Sequence, residues 1–123
     1  MSAQGSCWFM YKDYFYELEL MDETNYGTFF GEFQEIALKA WLSGGRVIRN
    51  KNTWYAHWYK GKHRGYSLKQ DVTVERNFVM NWMEMKKAWE KQTIPIAWLI
   101  DRFSPVPGWN LTPEGTYETS ENS

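Results

Sequence analysis

The chain has 123 residues, 43% hydrophobic and 24% charged, which suits one soluble globular domain and excludes a disordered or fibrous class. Fourteen basic and fifteen acidic side chains leave a net charge of −1, so nucleic acid is not expected as the primary partner, because non-specific binding takes a dominant positive field. A single cysteine, Cys7, excludes an internal disulfide and a cysteine-based zinc site; with no signal-like leader and no apolar run of about 20 residues, a cytoplasmic protein without a membrane partner is expected.

In chain order, Ser6–Tyr11 is a short apolar run that predicts a buried strand, followed by a short helix over 12–19 with Asp13 as its N-cap. Residues 20–31 hold Asp22, Asn25, Gly27 and Gly31 and read as a loop. An amphipathic helix is predicted over 32–42, with Phe33, Ile36, Ala37, Ala40 and Trp41 on one face and Gln34, Glu35 and Lys39 pointing away; Gly44 and Gly45 end it. Residues 46–50 and 53–59 are β-branched and aromatic and predict two strands around Asn50-Lys51-Asn52, and Gly61–Gly65 is a basic loop. Val74, Phe78, Trp82, Met85 and Trp89 recur at intervals of 4, 4, 3 and 4, which predicts a Trp-rich helix. A last short helix over 94–103 closes at the proline-rich 104–109, and the polar, acidic tail 112–123 reads as disordered. The layout is α/β, short of strands for a complete domain of that class.

Aromatic residues make up 19% of the chain. Most belong in a core, since rings dominate burial energetics, but the excess also suits a site that stacks on sugar or nucleotide rings. Both histidines, His57 and His63, fall in one stretch, residues 50–67, that carries Lys51, Lys60, Lys62 and Arg64 among Trp and Tyr and has no acidic residue. The bland reading is a structural histidine on a strand followed by a solvated turn. The functional one is a cationic site for an anion such as a pyrophosphate, with His57 as a metal ligand. Glu32 and Glu35, at the start of the predicted helix, either complement its dipole or, in the case of Glu32 after Gly31, hold substrate hydroxyls. No nucleophile triad, phosphate-cradling glycine loop or zinc-protease motif is present, and His57 and His63 alone make a poor zinc site.

Residues 5–45 resemble the second half of a family 2 type glycosyltransferase of the GT-A fold, in particular the corresponding segment of the polypeptide N-acetylgalactosaminyltransferases. The resemblance is carried by Lys12-Asp13-Tyr14-Phe15, the Asp22-Glu23 loop, Phe29-Phe30-Gly31-Glu32-Phe33 in place of a Trp-Gly-Gly-Glu-Asn motif, Trp41, and Gly44-Gly45. It extends to Ala56-His57 at the place of a Gly-His pair, and so covers about half of the chain, residues 5–67. It implies a partial GT-A (nucleotide-diphospho-sugar transferase) fold, the acceptor-side half, over 1–70, then a helical extension over 71–110 and a tail over 111–123. It also implies transfer of a sugar from a nucleotide sugar, UDP-linked by preference, to an acceptor, with a divalent Mn²⁺ or Mg²⁺ in the complete enzyme. In that scheme His57 is a metal ligand and Lys60, Lys62 and Arg64 face the pyrophosphate. Glu32 is the catalytic-site carboxylate, and Phe29, Phe30, Glu35 and Trp54 contact substrate.

The departures from the family pattern are specific. No Asp-x-Asp or Asp-x-His motif occurs in the chain, Phe29 stands where the family has a gating Trp, and Phe33 stands at an Asn position that in inverting relatives is an Asp acting as the base. The chain alone is therefore expected to be inactive and to need a missing N-terminal half or self-association. Two other classes remain: a non-catalytic carbohydrate- or nucleotide-binding module, and an interaction protein that docks through the Trp-rich helix.

Overall fold

A computed structural model describes residues 7–27, 31–58, 61 and 88–105, and the backbone of 109–111 and 117–119. Its described elements, in chain order, are α1 (Lys12–Glu17), α2 (Glu23–Tyr26), α3 (Glu32–Leu42), α4 (Ile96–Arg102), β1 (Trp109–Leu111) and β2 (Tyr117–Thr119). The strands form one antiparallel pair, with Asn110 opposite Glu118.

This corrects the expected α/β, partial GT-A architecture. Residues 7–11, 46–50 and 53–58 lie in no strand, and no parallel sheet occurs among the described residues. The physical reason is that β-branched and aromatic composition reports how a segment packs, while a strand also needs a neighbour to share its backbone hydrogen bonds. The packing half of the signal survives. Trp8 and Met10 pack inward on the core, while Phe9 and Tyr11 between and beyond them are 94% and 87% exposed.

The centre of the fold is α3. On one side Ala37, Trp41 and Leu42 pack with Ile96, Leu99 and Ile100 of α4. On another, Ile36 and Ala40 pack with Leu18 and Leu20, and Trp8, Met10, Tyr14 and Phe15 close over them. Val47 and Trp89 touch both clusters and join them. The segment read as a C-terminal extension thus shares its core with α3.

Each end of α3 has a local cause. Gly31 precedes it because a Cβ there would run into the Tyr26 carbonyl and lie 2.8 Å from the Tyr26 Cβ. At the other end Gly44 takes φ +92, and the Gly45 N–H donates to Ala40 at 2.9 Å. The Leu42 carbonyl, left over at the helix terminus, accepts from the backbone N–H groups of Thr93 and Ile94 at 2.8 and 3.0 Å. That bond pair seats the chain for α4, which starts after Pro95. Arg102 then stacks on Trp41 and Trp98, 5.5 and 5.3 Å from their ring centroids.

Four further expectations are revised. Asp13 sits in the first turn of α1, whose N-cap is Tyr11 without a side-chain bond. Inside the expected loop 20–31, Asp22 caps the single turn of α2 by accepting from the Asn25 N–H at 3.2 Å. The tail read as disordered contributes β2, and Trp89, read as the end of a helix, lies in a bend. The remainder of that Trp-rich helix, Val74 to Met85, lies outside the described residues. No helix among the described residues is long and apolar enough to cross a membrane.

Candidate functional site

The N-terminal end of α3 meets the Met21–Gly27 segment at an open cleft of about 190 Å³. Its walls include Asp22 and Glu23 from one side, Gly31 and Glu32 from the other, and Tyr26 and Glu35 at depth. Two sequence-predicted site residues, Glu32 and Glu35, are brought together here, with the Asp22-Glu23 pair of the resemblance beside them.

Their environments separate their roles. Glu35 was expected to point away from the core together with Lys39. Instead the two are 1% and 2% exposed, and their Oε1 and Nζ atoms lie 2.7 Å apart. The i,i+4 spacing places them on one helix flank, and that flank is covered by the 18–22 turn instead of by water. The Glu35 carboxylate also accepts from the backbone N–H groups of Met21 (3.0 Å) and Asp22 (3.2 Å), and Lys39 donates to the Glu19 carbonyl at 2.7 Å. Lys39 further lies over the rings of Tyr26 and Trp89, at 5.8 and 5.4 Å. Among the described residues, every side-chain bond the pair makes outside itself is to this turn or to the rings around it. Glu35 is therefore a structural anchor and is not available to substrate.

What the anchor secures is costly backbone. Glu19 and Met21 have φ of +52 and +70, the left-handed region that residues with a Cβ enter at a cost of about 1–2 kcal/mol each. The buried pair grips both through their backbone atoms. A second clasp closes the same turn from outside: the Trp89 indole N–H donates to Glu19 at 2.9 Å, and Lys91 pairs with the same carboxylate at 2.9 Å. Lys91, then Trp89, hold the Glu19 carboxyl below its ordinary range.

Among the carboxylates at the cleft, Asp22 is committed to Asn25, whose side-chain amide donates to it at 2.6 Å. The side chains of Glu23 and Glu32 make no hydrogen bond among the described residues. Both are acceptors beside a cleft, Glu32 in the first turn of α3. Such a rim can accept from hydroxyl groups.

The remaining sequence-predicted residues are not gathered at this cleft by the described structure. Trp54 is 85% exposed and His57 is exposed, and neither is among the residues lining the cleft. Phe29, Phe30, Lys60, Lys62 and Arg64 lie outside the described residues. Among the described residues no group of three His, Cys, Asp or Glu side chains is disposed to hold a metal ion. Sequence reasoning missed Lys39, Tyr26 and Trp89 as supports of the site. Only the Glu35/Lys39 spacing offered a signal, and it is the same spacing an exposed helix pair would have.

Compared with models of protein families, with curated proteins and with solved structures, the chain matches none.

Proposed function

We propose that this chain supplies the acceptor side of a sugar-transfer site and does not turn substrate over by itself. The observation that supports this reading is the cleft: Asp22-Glu23 and Gly31-Glu32, separated in sequence, line one opening, with Glu23 and Glu32 uncommitted and Glu35 holding the wall in place. In this reading Glu32 accepts a hydrogen bond from a sugar or acceptor hydroxyl, which orients that hydroxyl for reaction. The donor would be a nucleotide sugar, with a UDP-sugar preferred. The diphosphate and any metal would be held by groups beyond those described, supplied by a partner carrying the carboxylates that the chain lacks or by a second copy. His57 would add one ligand to such a composite site.

The test is a pair of measurements on the purified chain: sugar transfer from UDP-sugars to mixed glycan and peptide acceptors, and calorimetric titration with UDP in the presence and absence of Mn²⁺. The expected result is no transfer and no metal-dependent heat. Transfer by the chain alone, or UDP binding that needs Mn²⁺ and is lost in His57→Ala, would show a complete site and overturn the reading.

A further inference from the structure

One wall of the cleft is tied to the opposite end of α3. Residues 88–94 run past that end as a strap, fastened to α3 where the Leu42 carbonyl accepts from the Thr93 and Ile94 N–H groups. The same strap reaches the turn that leads into the wall. The Trp89 indole N–H and the Lys91 ammonium both hold the Glu19 carboxylate, and Lys91 also donates to the Glu17 carbonyl at 2.7 Å. Gln92 stiffens the strap between these points, since its side chain accepts from the Ala88 N–H at 3.1 Å and donates to the Ile94 carbonyl at 3.0 Å. Neither Trp89 nor Lys91 lines the cleft.

A continuous set of polar contacts joins the strap to that wall. Glu19 takes the strap on its carboxylate and the Lys39 ammonium on its carbonyl, and Lys39 pairs with Glu35. Glu35 in turn accepts from the N–H groups of Met21 and Asp22, both of which line the cleft. The backbone held by this relay is strained at Glu19 and at Met21, where φ is positive. Such strain persists only while the surroundings over-determine it, and it favours another path for the turn once a restraint goes. The outer restraint is the accessible one. The Lys91 and Glu19 side chains are 45% and 56% exposed, against 2% and 1% for Lys39 and Glu35.

We propose that the 88–94 strap is a latch for the cleft. With Trp89 and Lys91 on Glu19, the Met21–Asp22 wall stands against the start of α3. When they let go, the strained turn relaxes and the wall leaves Glu35, which opens the cleft. The latch and any occupant that needs the closed wall are then linked, and each strengthens the other. As a control over sugar binding this rests on the function proposed above; as a statement about the wall it does not.

The experiment is native-state hydrogen exchange of the whole, ligand-free chain, followed residue by residue by NMR. In Lys91→Met the Met21 and Asp22 amides, which Lys91 does not contact, should lose roughly threefold to tenfold in protection, the scale of one exposed clasp. Trp89→Phe keeps a ring against the core but removes the indole donor. Combined with Lys91→Met it should bring the loss to about tenfold or more. Lys91→Arg keeps the cation and should stay within about twofold of the parent chain. The amides of Ala40 and Trp41, inside α3, should keep their parent protection in both Lys91 variants. Unchanged protection at Met21 and Asp22 in Lys91→Met would overturn the proposal. So would an equal loss at Ala40 and Trp41, because the strap would then support the fold as a whole and not this wall. No sugar is present in the measurement, so a failure of the latch and a failure of the cleft reading register in different experiments.

Discussion

Lys39→Met would leave the Glu35 carboxylate buried, still bonded to two backbone N–H groups but without its cation. Removing one member of a buried pair typically costs about 3–5 kcal/mol, because the other charge remains desolvated. The Glu19 carbonyl also loses its 2.7 Å donor, which adds about 1 kcal/mol. The sum, about 4–6 kcal/mol, is a large part of the roughly 6–18 kcal/mol expected for 123 residues. In urea, at a slope of about 2 kcal/mol/M, the midpoint should fall by about 2–3 M. The assay is equilibrium unfolding followed by far-ultraviolet circular dichroism and by tryptophan fluorescence. In Glu35→Gln/Lys39→Met neither charge is left unpaired, and the amide oxygen still accepts from the turn, so part of the loss should return. A loss under about 1 kcal/mol in Lys39→Met, or single and double variants whose effects simply add, would refute the reasoning that the two charges act as one buried unit.

Gly31→Ala should destabilise the chain by about 1–3 kcal/mol in the same unfolding assay and disturb the cleft, since the new methyl meets the Tyr26 carbonyl; an unchanged midpoint would contradict that packing. Leu99→Ala, at a fully buried position between α3 and α4, should cost about 2–5 kcal/mol, and a value near zero would mean that the two helices do not share a core. The Glu19 carboxyl is held below its ordinary value of 4.5, so its clasp stabilises the fold above that pH and the contribution is lost as the pH falls through the lowered value. Melting temperatures measured from pH 6 down to 3 should accordingly show a shallower acid-side decline in Glu19→Gln than in the parent chain, and parallel curves would rule the clasp out.

How much of this was legible in the sequence depends on which interaction decided each element. The helix over 32–42 was found to its last residue, because its apolar spacing, its acidic first turn and Gly44-Gly45 all act within the segment. The last helix, predicted over 94–103 and observed over Ile96–Arg102, was legible for similar reasons. Strands at 7–11, 46–50 and 53–58 were misread because a strand is settled by a partner elsewhere in the chain, and composition is silent about the partner. Asp22 was legible as a turn residue but not as the cap of a single helical turn.

The candidate site divides in the same way. Glu32 was named from its place after Gly31, and the structure sets it at the cleft. Glu35 was named as a substrate contact, yet what decides its role is the turn that folds over it from 13 and 14 residues upstream. Lys39 was read as solvent-facing for want of any sign that this turn would cover it. A charged pair at i,i+4 looks the same in sequence whether water or a second segment lies against it.

The central claim is that the cleft between the Met21–Gly27 segment and the start of α3 accepts sugar hydroxyls through Glu32. Its most direct test is two-dimensional ¹⁵N–¹H NMR of the labelled chain titrated with a panel of hexoses, N-acetylhexosamines and their disaccharides, in parallel with Glu32→Gln. The account predicts saturable shifts centred on the amides of Asp22, Glu23 and Glu32 for at least one sugar, abolished in the variant. Shifts that map elsewhere, persist in Glu32→Gln, or fail to appear with any member of the panel would contradict it.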